Sequence, residues 1–205
     1  MEIACLDLEG VLLPEIWIEF ANASGIDELR VTTRDIPDYD ELMQLRLSIL
    51  DNHGLGIREI QDVIAGLSPL EGAADFLDWL RARFQVVILS DTFYQFAGPL
   101  MAQLGNPTLL CHNLEVNDQG RVTGYRLRQA DPKRQAVIAL KSLYYRTIAA
   151  GDSYNDTAML EEAHAGILFC PPQRVIDEFP QYPVANNYRE FQAEFLRASN
   201  RNLDP

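Results

Sequence analysis

Two carboxylates, Asp7 and Glu9, stand where the first apolar run of the chain, Ile3 to Leu6, gives out, and Gly10 follows them. A buried strand has no need of acids there. In an open α/β sheet the carboxyl ends of the strands are where ligands bind. Asp7 is therefore a candidate nucleophile or metal ligand, and Glu9 a candidate general acid/base at the same strand end. The plainer alternative is a polar turn whose acids satisfy backbone amides. The same punctuation recurs twice. The apolar run Gln85 to Leu89 ends in Ser90-Asp91-Thr92, and Thr147 to Ala150 ends in Gly151-Asp152-Ser153-Tyr154-Asn155-Asp156. Ser90 would also serve as a helix cap, and Asp152, Asn155 and Asp156 as turn residues.

Those strand ends need a sheet to bring them together. Strands alternate with helices over most of the chain, which implies an α/β fold with a doubly wound, mostly parallel sheet and right-handed crossovers. The stretch from Pro14 to Pro69 departs from this alternation. It reads as helix and turn throughout, with helices over Glu15–Ala23, Asp38–Asp51 and Ile57–Ala65 and a connector over Thr32–Pro37. The organisation expected is an α/β core over residues 1–13 and 70–205, with a helical cap over 14–69 inserted after the first strand. Asn117-Asp118-Gln119-Gly120 marks a hairpin between Leu114–Val116 and Val122–Leu127. Asp131-Pro132-Lys133 opens a helix to about Leu143. A lysine there is normally solvated, and the helix dipole disfavours it.

The 205 residues suffice for one good core, and a hydrophobic fraction of 47% argues for a folded globule. A net charge of −13 argues against nonspecific nucleic-acid binding and leaves any anionic substrate in need of locally placed cations or a metal. No apolar run reaches membrane-span length, and no secretory leader is present, so a cytoplasmic location is expected. Cys5, Cys111 and Cys170 have no paired ligand spacing and read as buried thiols. His53, His112 and His164 form no metal motif and read as structural.

Taken together, the motifs resemble the haloacid dehalogenase superfamily of phosphotransferases. The likeness rests on Asp7-Leu8-Glu9-Gly10-Val11, the Ser90 strand end, Lys133, and Gly151-Asp152-Ser153-Tyr154-Asn155-Asp156, in that order. The helical insertion and the Glu71-Gly72 junction narrow it to the phosphoserine phosphatase branch. Asp-Leu-Glu-Gly-Val, Pro-Glu-Ile-Trp and Ile-Leu-Ser-Asp-Thr-Phe narrow it further, to a bifunctional kind that also passes the phosphoryl group to homoserine. The resemblance spans essentially the whole chain.

It implies a chemistry. Mg2+ neutralises the phosphate ester, held by the Asp7 and Asp152 carboxylates and the Glu9 backbone carbonyl, with Asp156 behind them. Lys133 faces the phosphoryl oxygens, and Ser90 donates to one of them. Asp7 attacks and becomes an aspartyl-phosphate, while Glu9 protonates the leaving group and later deprotonates water or an alcohol. For the amino-acid end of phosphoserine, Glu15 is the candidate for the ammonium and Arg46 for the carboxylate. Asp91, Thr92 and Asn155 are further candidates for contact with substrate. The partners implied are small molecules, phosphoserine and homoserine; a homodimer is a further expectation on which the sequence itself is silent.

Two departures stand out. Glu9 replaces the aspartate usual in the superfamily, and Asp91-Thr92 replaces two glycines after Ser90. Competing readings are a phosphatase of the same fold for a nucleotide or sugar phosphate, and a non-catalytic switch carrying a phosphorylatable aspartate. Glu9 and the inserted helices argue against the switch, which requires neither an acid nor a lid.

Overall fold

The computed structural model describes residues 1–32, 35–36 and 38–202. Thr33, Arg34 and Pro37 of the expected connector lie outside the described residues. Strands β1 (Glu2–Leu6), β2 (Gln85–Phe93), β3 (Thr108–Val116), β4 (Val122–Arg126), β5 (Arg146–Gly151), β6 (Ala165–Phe169) and β7 (Val184–Ala185) form one sheet. Their order is β4-β3-β2-β1-β5-β6-β7, parallel throughout except for the antiparallel β3–β4 hairpin.

β1 is buried along its whole length because both of its faces are covered, which is why it reads as an unbroken apolar run. Ala4 and Leu6 join the apolar layer formed with helices α4 (Ala73–Arg81), α5 (Tyr94–Gln103) and α9 (Tyr188–Ala198). Ile3 and Cys5 face the opposite layer, formed with α6 (Pro132–Ser142), α7 (Thr157–Glu162) and α8 (Gln173–Glu178). β1 lies between β2 and β5, so the ends carrying Asp7, Ser90 and Asp152 are neighbours on one rim. The Asp7 amide donates to the Ala150 carbonyl at 2.9 Å, which extends the β1–β5 register one residue past the strand.

Between β1 and β2 the chain forms α1 (Ile16–Ser24), α2 (Tyr39–Asn52) and α3 (Ile57–Ala65). Their apolar faces, including Phe20, Met43, Leu50, Ile60 and Ile64, merge with the α4–α5 layer in one cluster. The β3–β4 hairpin grips this insert from the side. The Ile57 amide donates to the Gly120 carbonyl at 2.8 Å, Tyr125 donates to the Asp40 carboxylate, and Arg121 pairs with Asp51.

Three expectations are corrected. β2 does not stop at Ser90 but runs on to Phe93, with a register shift against β3 between Leu89 and Phe93. The strand expected over Leu114–Val116 begins much earlier, at Thr108, and is continuous through Cys111 and the buried His112. Cys5 and Cys111 are buried, but Cys170 is exposed, because β6 ends at Phe169 and the chain turns out at Cys170 with φ 45°. Burial pushes the Cys5 and Cys111 thiols up to about 12. No helix among the described residues is long and apolar enough to cross a membrane.

Candidate active site

Lys133 organises the rim. It is the second residue of α6, yet it is only 4% exposed. Its Nζ lies 2.9 Å from Asp7 Oδ1, 2.8 Å from Asp156 Oδ1 and 3.4 Å from Asp91 Oδ2. Three carboxylates from three elements thus explain a cation set against a helix dipole. Burial favours the neutral amine, but Asp156, Asp7 and Asp91 outweigh it and hold the ammonium well above its ordinary range.

Asp152 and Asp156 are placed by glycines. Asp156 Oδ2 accepts from the Asp152 and Ser153 amides at 3.0 and 3.2 Å. A Cβ on Gly151 would lie 2.2 Å from the Asp156 Cγ, so only glycine lets the carboxylate fold back onto those amides. Gly10, at φ +77°, does the same for Asp152, whose Cγ would lie 2.7 Å from a Cβ there.

Asp7, Asp152 and Asp156 are all buried, and each offers an oxygen within 4.8 Å of the others. Burial raises the Asp7 carboxyl well above the usual range. Asp156 and Asp152 push the same way, while Lys133 opposes them. A crowd of buried carboxylate oxygens against one ammonium suits a hard divalent cation such as Mg2+. Both Asp156 oxygens are engaged, Oδ1 by Lys133 and Oδ2 by two amides, whereas Asp7 meets Lys133 and the Leu8 amide through Oδ1 alone.

Glu9 points towards the insert. Its Oε2 accepts from the Ile16 amide, the first of α1, at 3.0 Å, while Glu15 at the cap position makes no side-chain cap of its own. Burial pushes the Glu9 carboxyl up to about 7, and nearby Glu15 adds to this. The Ile16 amide, Thr92 and Arg46 pull the other way. Ser90 is buried beside it, its Oγ accepting from the Thr92 amide at 3.1 Å.

Arg46 is not on a solvated helix face. It is 7% exposed, lies 4.5 Å over the Trp17 ring, and donates from Nη2 to the Val31 carbonyl at 3.0 Å. Its Nε is buried without a partner among the described residues. Burial lowers the guanidinium to about 10, against the pull of Tyr39, Glu9 and Glu15.

Asp91 brings in two residues that the sequence did not single out for the site. Its Oδ1 lies 3.6 Å from His112 Nε2, and the Tyr39 hydroxyl donates to its backbone carbonyl at 3.1 Å. His112 Nδ1 accepts from the Arg128 amide at 3.1 Å, which leaves the Nε2 hydrogen to face Asp91. Asn155 Nδ2 donates to Asp91 Oδ2 at 3.1 Å. The cue in the sequence was a histidine inside an otherwise apolar run, Leu110-Cys111-His112. One cavity of about 780 Å3 is lined by Asp7, Glu9, Ser90, Lys133 and Asp152 at its floor and by Glu15, Tyr39 and Arg46 from the insert. Asp91, Thr92, His112 and Asn155 also line it, so it brings together the expected site residues except Asp156, which touches it through Lys133.

A family model described as haloacid dehalogenase-like hydrolase matches residues 19–161. Over 203 residues the chain is 70% identical to the phosphoserine phosphatase ThrH of Pseudomonas aeruginosa, covering 99% of both chains. The chain belongs to the haloacid dehalogenase-like hydrolase family. A phosphoserine phosphatase of Pseudomonas syringae pv. tomato is 67% identical over 203 residues, 99% of this chain and 86% of the relative. Among solved structures, a substrate-bound phosphoserine phosphatase complex superposes with a TM-score of 0.77 at 21% identity, over 94% of this chain and 97% of the other. A phosphoserine phosphatase in apo form gives 0.76 at 22% identity, over 94% and 98%. At that identity these two establish the fold alone. In this haloacid dehalogenase-like hydrolase the cavity therefore lies on the carboxyl rim of the family's sheet.

Proposed function

We propose that the protein is a Mg2+-dependent phosphoserine phosphatase that also transfers the phosphoryl group to homoserine. The observation that carries this reading is one cavity with Asp7, Lys133 and Asp152 at its floor and Arg46, whose buried Nε has no partner among the described residues, in its wall. A phosphate fits the first group and an amino-acid carboxylate the second. The names of the relatives support the choice of ester.

In this reading Asp7 and Asp152, with the Glu9 backbone carbonyl, would hold Mg2+, and the ion would supply neutralisation of phosphate charge. Asp156 acts from behind by fixing Lys133. Lys133 and Ser90 orient the phosphoryl oxygens. An Asp7 oxygen bonds to phosphorus as the ester P–O bond breaks, and the departing serine alkoxide takes the proton of Glu9. Glu9 then takes a proton from water or from the homoserine hydroxyl as that oxygen bonds to phosphorus, freeing Asp7. The products are phosphate or phosphohomoserine. Helices α1 to α3 form the cap over the site, excluding water so that these charges act in a drier medium.

The test is a panel of phosphate esters with Mg2+, measuring free phosphate with and without homoserine. The expected result is repeated turnover of phosphoserine and formation of phosphohomoserine. Uptake of about one phosphate per chain without release, or preference for nucleotide or sugar phosphates, refutes the reading.

A further inference from the structure

Tyr188 reaches the first turn of the site from the far end of the chain. It opens α9 and does not line the cavity. Its hydroxyl donates to the Val11 carbonyl at 2.7 Å, across 177 positions of sequence. Its ring stacks on Phe76 and Phe169, with centroids 5.1 and 4.9 Å away. Gly72, at φ +85°, leaves room for the ring edge, since a Cβ there would lie 3.1 Å from the Tyr188 Cδ2. The start of α9 is itself fixed. The Asn187 side chain accepts from the Glu190 amide at 2.9 Å, and Glu190 accepts from the Asn186 amide and from Asn187 Nδ2, each at 2.8 Å. Burial raises the phenol above its ordinary value, which keeps it a donor.

The turn it holds carries Glu9. From Leu8 to Leu13 the chain closes on itself: the Leu12 and Leu13 amides donate to the Leu8 carbonyl at 2.8 and 3.0 Å, and the Gly10 amide to the Leu13 carbonyl at 2.8 Å. Among the described residues two bonds tie the carbonyls of this turn to the rest of the molecule. One comes from the Leu70 amide to the Leu12 carbonyl at 3.0 Å, where the chain returns from the insert. The other is the Tyr188 hydroxyl on Val11, and it comes from the core. Val11 is fully buried, so bulk water does not replace the phenol. The Glu9 side chain leaves the same turn, and its tip is held by the Ile16 amide. Where that carboxyl stands relative to Asp7 therefore depends on the turn.

We propose that Tyr188 is a positioning residue, fixing through the Val11 carbonyl the turn from which Glu9 reaches the reacting atoms. This rests on the phosphoserine reading above, in which Glu9 moves the proton. Proton transfer requires hydrogen-bond reach, so a small relaxation of the turn costs rate. It leaves binding largely intact, because the groups that hold the two ends of the substrate in that reading, Arg46 and Lys133, stand on α2 and α6.

The experiment measures turnover of phosphoserine with Mg2+ by the full chain and by Tyr188→Phe, Glu9→Gln and the double variant. Tyr188→Phe keeps the ring stack and loses only the hydroxyl. It is expected to lower kcat about 10-fold and to leave KM within about twofold. In Glu9→Gln no acid remains to be positioned, and there the same substitution is expected to cost less than about twofold. Phe195→Leu is the control. It loosens α9 against Phe76 and Phe84 without touching Tyr188, and is expected to lower the melting temperature while keeping kcat. Gly72→Ala pushes on the ring from its edge with the hydroxyl intact. It is expected to show the same loss in kcat and the same suppression by Glu9→Gln, and it carries the test if Tyr188→Phe does not fold. An unchanged kcat in folded Tyr188→Phe, a full loss repeated in Glu9→Gln, or an equal loss in Phe195→Leu overturns the assignment. No turnover of phosphoserine by the unaltered enzyme sinks the underlying reading instead, a different result from any of these.

Discussion

The Asp152 carboxylate occupies the space that a Cβ on Gly10 would fill, with Cγ 2.7 Å from that position. Gly10 also sits at φ +77°, where an L side chain is strained. Gly10→Ala therefore displaces Asp152 and strains the turn. We expect a stability loss of about 1–3 kcal/mol and a fall in kcat on the order of 100-fold. Addition of Mg2+ should raise the melting temperature of the unaltered chain and raise that of Gly10→Ala less. Calorimetry with Mg2+ and with a chelator checks both.

Lys133 is the counter-charge of a buried acidic cluster. Lys133→Met removes the ammonium and leaves Asp7, Asp156 and Asp91 without it. Breaking a buried ionic set by removing one partner typically costs about 3–5 kcal/mol. Urea titration without metal should show a loss of that order, and added Mg2+ should recover part of it. An unchanged midpoint contradicts the electrostatic account of the rim.

Glu9 is one methylene longer than the aspartate usual at this position, and its Oε2 is tied to the first amide of α1 at 3.0 Å. In the proposed reaction a base shifted in this way activates water less well and leaves the phospho-enzyme time to meet an acceptor alcohol. Glu9→Asp should shift the partition of the phospho-enzyme towards hydrolysis. The ratio of phosphohomoserine to free phosphate should fall severalfold, and an unchanged ratio refutes the idea.

Far from the cavity, Glu2 binds the C-terminal segment to β1. Its carboxylate is 5% exposed and accepts from Ser199 Oγ, the Asn200 amide and Arg201 Nε at 2.6, 2.8 and 2.7 Å. Burial works against the charged form, but Ser199, Asn200 and Arg201 outweigh it and lower the carboxyl below its ordinary value. A lowered folded value means the stabilisation is complete above the unfolded value near 4.5 and is lost as pH falls through the folded one. The melting temperature should drop on acidification in that window, and Glu2→Gln should flatten the drop there.

The sheet was legible because parallel strands are short apolar runs, and β1, β2 and β5 each end in small or acidic residues. The three floor residues Asp7, Lys133 and Asp152 were legible for the same reason: each breaks a local rule, an acid ending a core strand or a cation opening a helix. His112 was not, because one polar residue between Cys111 and Asn113 reads as a break in β3, and its partner Asp91 lies 21 positions earlier. Nor was the burial of Arg46 legible. Its environment is Trp17 on another helix and the Val31 carbonyl, which no periodicity within α2 reveals. The course of β2 through Ser90 to Phe93 was hidden by the bulge, which carries polar side chains along a continuing strand.

The grip of the β3–β4 hairpin on the insert bears on how anything enters. Ile57 to Gly120, Tyr125 to Asp40 and Arg121 to Asp51 are three stitches along one seam. An insert stitched to an edge hairpin, besides being packed on the α4–α5 layer, must carry that hairpin with it or come unstitched. Should the insert open to admit a ligand, as the proposed cap would, that motion is coupled to edge strand β4, and a loosened seam would alter how fast ligands come and go without touching a single group that meets them.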